Sequence, residues 1–167
     1  LTSVFYDNQL EFGTYNGDLY AFPFTATTRV LYYNLDLFEA AGLSEEDVPT
    51  TWSELYEVAK KLDQYDEKGN LVVLGFDPTT QEATYHGWLW TAGLDFFDDN
   101  NNPILDSDAH VAVLEWMRDF NKDIPKDKLD GFTAANQLLG LDPFTAGRTA
   151  MYIANDSLHY TLQRNQV

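Results

Sequence analysis

The side chains best able to hold a small polar molecule lie in one aromatic run and the polar stretch before it. Thr79-Thr80-Gln81-Glu82 leads into Tyr85-His86-Gly87-Trp88-Leu89-Trp90. Aromatic rings offer flat apolar faces, while amide, carboxylate and hydroxyl groups offer directed hydrogen bonds. A polyhydroxylated ring is gripped in this way, its C–H face stacked on an aromatic and its hydroxyls held by polar side chains. The competing reading is that these rings only pack a helix onto a sheet. That reading is strongest for Trp88 and Trp90 and weaker for Tyr85, which stands nearest the helix start. Asn155-Asp156-Ser157 forms a second polar cluster, in a loop just after an apolar segment.

Other chemistries find less support. Asp98, Asn100 and Asn102 occupy positions 1, 3 and 5 of a calcium-loop pattern, but position 6 is Pro103 rather than Gly and position 12 is Ala109 rather than Glu. A hairpin tip is expected there instead. His86, His110 and His159 are far apart and form no zinc-type pair; His110 reads as a solvated residue near a helix start. There is no Gly-x-Ser-x-Gly elbow and no glycine-rich phosphate loop. Paired carboxylates for glycoside hydrolysis are conceivable in so acidic a chain, yet the acids cluster in turns and helix starts, where they serve as caps and solubilisers. No metal, cofactor or catalytic residue is expected.

Composition narrows the partners. The 27 acidic against 10 basic residues give a formal charge of -17, which repels nucleic-acid phosphates and anionic lipid. Cysteine is absent, which removes disulfides and thiolate chemistry. With 167 residues, 44% of them apolar, one well-packed domain is attainable, and no apolar run approaches the ~20 residues that span a bilayer. Because the chain opens on Leu1, it is expected to be a piece of something longer.

The positioning elements alternate between strand and helix. Asn16-Gly17-Asp18 is a turn, and Leu19 to Phe24 reads as a strand with Pro23 at an edge or bend. Val30 to Tyr33 is a second short strand, followed by a helix over Asp36–Ala41 that Gly42 stops. Pro49-Thr50-Thr51-Trp52-Ser53-Glu54-Leu55 opens the next helix, about 52–65. Thr51 and Glu54 suit a capping box, and Leu55, Val58, Ala59 and Leu62 form one apolar stripe. Leu71 to Phe76 is a buried-type strand, and the aromatic run from Tyr85 to Gly93 is helical. Ser107 caps a helix over 108–122 with Val111, Leu114 and Met117 inward. Phe132 to Leu139 is helical, Met151 to Ile153 is a strand, and the C-terminal segment is helical. This alternation, without repeat or linker, predicts a single α/β domain with no internal boundary.

Four blocks resemble the sugar-type extracellular solute-binding proteins of ABC importers, the group that includes maltose-binding protein. Tyr15 to Pro23 resembles the family's Gly-x-hydrophobic-Tyr-Ala-x-Pro strand. Thr28 to Asn34, with Asp36-Leu37-Phe38 and Ala41-Gly42-Leu43, is similar to its Leu-x-Tyr-Asn-x-Asp-Leu-Phe … Ala-Gly-Leu. Pro49 to Leu55 is similar to Pro-x-Thr-Trp-x-Glu-Leu. Phe144-x-x-Gly147-Arg148-Thr149-Ala150-Met151 is similar to Phe-x-x-Gly-x-x-Ala-Met. The blocks occur in family order and cover nearly the whole chain.

The resemblance implies a type II periplasmic-binding-protein lobe, a mixed sheet flanked by helices. It implies that residues 1–16 approach the hinge, 17–30 form the first crossing segment and 31–167 the body of the second lobe, the N-terminal lobe being missing. It implies no bond-making chemistry. A carbohydrate is bound between lobes and presented to an ABC permease by a receptor that is extracellular, either a cell-surface lipoprotein or periplasmic. The cleft residues implied are Thr25, Thr27 and Arg29 on the crossing segment, Gln81, Glu82, Tyr85 and His86 at the loop and helix start, and Trp90 on the aromatic helix. Asn155, Asp156 and Ser157 follow the last strand. Two departures stand out: Thr27 where maltose-binding protein has Glu, and Asn155-Asp156-Ser157 in place of a Gly-x-Trp. Alternatives are a sensory module on the same fold and, further off, a fragment of a carbohydrate-active hydrolase. A lone lobe is further expected to expose apolar surface and to dimerise.

Overall fold

The computed structural model describes residues 2–79, 82–98, 100–140 and 142–165. Its strands are β1 (Thr14–Tyr15), β2 (Asp18–Leu19), β3 (Arg29–Tyr33), β4 (Gln64–Tyr65), β5 (Leu71–Val73) and β6 (Met151–Asn155). Its α-helices are α1 (Asp7–Glu11), α2 (Leu35–Ala40), α3 (Trp52–Leu62), α4 (Tyr85–Thr91), α5 (Asp108–Asp119), α6 (Lys126–Leu139) and α7 (Leu158–Asn165).

The chain's last strand is the hub. β6 pairs antiparallel with β3, with Arg29 opposite Asn155, Leu31 opposite Ile153 and Tyr33 opposite Met151. Just before β6, Thr149 bridges Leu74 in parallel, and the ladder continues as Ala150 N–H donates to the Leu74 carbonyl and Met151 N–H to that of Gly75, each at 2.9 Å. β5 in turn pairs antiparallel with β4. The order β4-β5-β6-β3 is therefore a mixed sheet, as expected from the resemblance, with helices on both faces.

Pleat alternation gives the two faces different cores. Met151 and Ile153, with Leu31 and Tyr33, join the main cluster built on Phe38, Leu55, Val58, Leu62, Phe76, Trp88, Leu89 and Phe120. On the other face, Tyr152 and Ala154 pack with Phe144, Tyr32, Leu158 and Leu162. The Tyr152 hydroxyl donates to Asp142 Oδ2 at 2.7 Å, and burial pushes that phenol well above its usual pKa.

α3 forms as its sequence dictates. Thr51 Oγ1 accepts from Glu54 N–H at 3.2 Å, and Glu54 Oε2 accepts from Thr51 N–H at 3.1 Å and Thr50 N–H at 2.8 Å. These bonds, that from Thr50 N–H first, hold the Glu54 carboxyl below its ordinary pKa. The predicted stripe Leu55, Val58, Ala59 and Leu62 is buried, each large side chain contributing about 1.5–3 kcal/mol. Trp52 stacks on Trp116 at 4.4 Å and meets Trp88 edge-on at 5.5 Å. The helix stops at Leu62, short of the expected 65. Asp63 turns extended, its Oδ1 accepts from Gly75 N–H at 2.8 Å, and Gln64–Tyr65 leave to pair with β5.

Other expectations are corrected. Of Leu19 to Phe24 only Leu19 is in a strand: after the tight Asn16-Gly17 turn, Tyr20 and Ala21 N–H both donate to the Gly13 carbonyl and the pairing then ends. Pro23 has no N–H to extend it. Of the stripe expected on α5, Met117 packs on the main core, but Val111 and Leu114 are exposed, and His110 and Val113 are buried in their place. His110 is accordingly not solvated. Its Nε2 lies 2.9 Å from the Asp95 carbonyl and its Nδ1 2.7 Å from Ser107 Oγ. A carbonyl only accepts, so Nε2 is the donor in that contact. α6 begins at Lys126, a turn and a half before the apolar signal at Phe132, and its first turns are packed by Leu129 against the cluster of Leu71, Leu74, Ile124 and Phe132. The Asp98 loop is the expected hairpin tip: Phe97 bridges Pro103, and Asp98 Oδ1 accepts from Asn100 and Asn102 N–H. Among the described residues no three His, Asp or Glu side chains gather as a metal site.

Candidate ligand-binding site

Directly opposed residues of an antiparallel pair share a face. Arg29 and Asn155 are such a pair, so both project from the face whose next rung is Leu31 and Ile153. Those two apolar side chains form the floor of a concavity of about 700 Å³, with Arg29 at its polar end. The far wall comes from the segment after β5, which is anchored at two points: Trp88 Nε1 donates to the Pro78 carbonyl at 2.9 Å, and Asn121 Nδ2 to that of Phe76 at 3.1 Å. This segment delivers Glu82 over the Arg29–Asn155 pair.

Glu82 joins both. Its Oε1 accepts from Asn155 Nδ2 at 2.7 Å, and its Oε2 lies 2.7 Å from Arg29 Nε. The arginine contact is off the N–H direction, so Oε2 is paired by charge but receives no directed hydrogen bond from the protein, although it is shielded from solvent. Arg29 Nη1 donates to Thr27 Oγ1 at 3.0 Å. Asn155 Oδ1 in turn accepts from Ser157 N–H at 3.0 Å and from its hydroxyl. One chain of contacts thus runs from Thr27 through Arg29, Glu82 and Asn155 to Ser157.

α4 supplies the aromatic wall. Thr84 caps it, its Oγ1 accepting from Gly87 N–H at 3.5 Å. His86 and Trp90, four residues apart, share one face, and their rings lie 6.1 Å apart at the edge of the concavity. Trp90 is 63% exposed, whereas Trp88, half a turn away, is buried in the core.

Of the residues anticipated from sequence, Thr27, Arg29, Glu82, His86 and Trp90 line this one concavity, and Asn155 and Ser157 brace its polar end. Others are not brought to it. Tyr85 turns away, its ring on Phe96 and its hydroxyl donating to the His110 carbonyl at 3.2 Å. Thr25 lines an adjoining hollow with Phe12 and Phe22, Thr27 being common to the two. Asp156 is tied to the crossing segment by its backbone: its N–H donates to the Thr28 carbonyl at 3.1 Å. Gln81 lies outside the described residues. The floor residues Leu31 and Ile153 were not anticipated, although the alternation of side chains along β3 places Leu31 on the same face as Arg29.

The profile of the family described as bacterial extracellular solute-binding protein matches residues 1–162. The chain belongs to this family. Among its solute-binding relatives is the arabinooligosaccharide-binding protein of Bacillus subtilis, 27% identical over 119 residues, or 71% of this chain and 26% of that protein. Another is the sn-glycerol-3-phosphate-binding periplasmic protein UgpB of Agrobacterium fabrum, 43% identical over 103 residues, or 59% of this chain and 22% of that protein. The solved structure of CpMnBP1 with mannotriose bound superposes with a TM-score of 0.83 at 29% identity, covering 99% of this chain and 43% of that one. A solute-binding protein of Thermotoga lettingae bound with α-D-tagatose gives 0.66 at 27% identity, covering 92% and 39%. The chain therefore spans less than half the length of these relatives. The type II solute-binding fold expected from the four sequence blocks is borne out. No described helix is long and apolar enough to cross a membrane.

Proposed function

We propose that this chain forms one wall of a carbohydrate-binding cleft in the extracellular receptor of an ABC importer, and that it makes and breaks no bonds. The observation that carries this reading is the make-up of the concavity, whose lining joins the exposed Trp90 ring and an apolar floor to the Arg29–Glu82 pair that Asn155 braces. A stacking face and polar groups thus line one space, as a sugar ring requires. The mannotriose and tagatose in the similar structures support the same solute class.

The opposite wall would come from the part of the relatives' length that this chain does not span. Exposure supports that division. No residue between Thr2 and Thr28 is buried, and Tyr6, Phe12, Tyr20 and Phe24 are largely exposed. This segment, with 1–16 approaching the hinge and 17–30 crossing it, would pack against the other lobe, leaving 31–167 as the body of the second. Hinge closure around the sugar would then create the surface a permease recognises. Attachment to the cell surface as a lipoprotein, or residence in the periplasm, belongs to the same proposal. So does self-association of the isolated chain through its uncovered aromatics.

The test is isothermal titration of the full-length receptor against mannobiose, mannotriose, arabino-oligosaccharides and simple hexoses. Saturable one-to-one binding of at least one is expected. Heat-silent titrations across the panel would overturn the reading.

A further inference from the structure

Likeness leaves the charge of the solute open, because the relatives include both oligosaccharide-binding proteins and one named for sn-glycerol-3-phosphate. We infer that the concavity selects an uncharged saccharide and discriminates against phosphorylated ones, because Glu82 already neutralises the guanidinium that lines it. This inference rests on the carbohydrate-binding reading above and names the ligand class for that site.

Holding a phosphate takes an uncommitted cation or a set of free N–H groups converging on one point. Arg29 is the one Lys or Arg among the described lining residues, and the neighbouring Thr80 and Gln81 carry no charge. Its Nε faces Glu82 Oε2 at 2.7 Å and its Nη1 is bonded to Thr27. The pair is not a loose surface contact. The Glu82 side chain is 29% exposed, and its other oxygen is fixed by Asn155. Asn155 is committed too, since both halves of its amide are bonded, to Glu82 and to Ser157. Arg29 itself is half exposed, so a phosphate could touch the guanidinium, but it would have to share it with a carboxylate that Asn155 holds in place from the neighbouring strand.

The cluster also sets a carboxylate beside the guanidinium. Glu82 Oε2 is paired with Arg29 and shielded from solvent, so it takes no ligand hydrogen bond directly, but its charge opposes that of a phosphate dianion. Trp90 favours the uncharged class, since its ring recognises C–H faces. The chain's net charge of -17 also repels anions at long range.

The experiment titrates the full-length receptor with mannose, mannobiose and mannotriose against mannose 6-phosphate and sn-glycerol-3-phosphate, for wild type and Glu82→Gln, at low and high salt. In wild type the best neutral sugar is expected to bind about tenfold or more tighter than either phosphorylated ligand. Gln keeps an oxygen for Asn155 but frees Arg29. E82Q is therefore expected to gain about tenfold for the phosphorylated ligands, with the gain shrinking as salt rises. Equal or tighter binding of mannose 6-phosphate by wild type would overturn this inference and leave the carbohydrate reading standing. Equal weakening of both classes in E82Q would reduce Glu82 to a structural brace and likewise overturn it. Binding of glycerol phosphate alone, or of nothing, would overturn both readings. Circular dichroism checks that E82Q folds, and the wild-type comparison decides the matter if it does not.

Discussion

Gly75→Ala tests whether the sheet and α3 are as close as the structure has them. Gly75 follows β5, donates its N–H to Asp63 Oδ1 and accepts from Met151 N–H, so it is tied to α3's end and to β6 at once. A Cβ added there would stand 2.0 Å from the Ala59 carbonyl oxygen, 2.6 Å from its carbon and 2.7 Å from Ala59 Cα. Carbon contacts are comfortable near 3.5–4 Å, so α3 would have to recede by about 1 Å or more. The obstructing atoms are helix backbone, and no rotamer change relieves them. Gly75 is not among the glycines with positive φ, so alanine suffers no conformational penalty and would gain about 0.4–1 kcal/mol by stiffening the unfolded chain. Against that stand overpacking, typically about 1–3 kcal/mol, and a weakened Asp63 bond worth about 1 kcal/mol. The clash wins, and a net loss of about 2–3 kcal/mol is expected. Urea unfolding followed by tryptophan fluorescence measures it, with Gly131→Ala in α6 as the contrast. A Cβ at Gly131 meets nothing within 4 Å, so that variant is expected to gain about 0.5–1 kcal/mol. A Gly75→Ala protein within about 0.5 kcal/mol of wild type would refute the packing argument.

Two other outcomes bear on the site and its surroundings. Trp88→Ala should cost about 3–5 kcal/mol of stability, because it empties the centre of the aromatic core. Trp90→Ala, two residues on, should change stability by no more than about 0.5 kcal/mol yet abolish most saccharide affinity; the reverse pattern in denaturation and calorimetry would mean the helix is rotated. Sedimentation velocity of the isolated chain should show concentration-dependent association that is suppressed by Phe12→Ser with Phe24→Ser, and a strict monomer at high concentration would dismiss the self-association proposal.

Local chemistry made much of this protein readable. The Thr51–Glu54 capping box and the Leu55, Val58, Ala59, Leu62 stripe form within one helix, so their spacing carries all the information needed. The same holds for the Asp98 hairpin tip. Along α5, type does not separate Val111 and Leu114, which are exposed, from Val113, which is buried, because all three are apolar. What decides the rotation is a distant pair of partners, the Asp95 carbonyl for His110 and the Trp52 ring for Trp116. At the candidate site, aromatic and polar residue types mark the segments that line the concavity, but type does not separate Tyr85 from Trp90, and Tyr85 packs on Phe96 and bonds the His110 carbonyl instead.

The sequence by itself determined the capped helix starts at Thr51 and Ser107, the core segments of most helices and, through four ordered blocks, the family. These are properties of neighbouring residues or of pattern along the chain. The tertiary structure alone decided which faces are covered and which distant groups meet. Arg29 and Asn155 are joined by the β3–β6 register, and Glu82 reaches them only because Trp88 and Asn121 pin the segment that carries it. Periodicity tells which side chains share a face of a helix or strand. Only packing tells what that face meets, and here it turned Trp88 into core and left Trp90 beside the concavity.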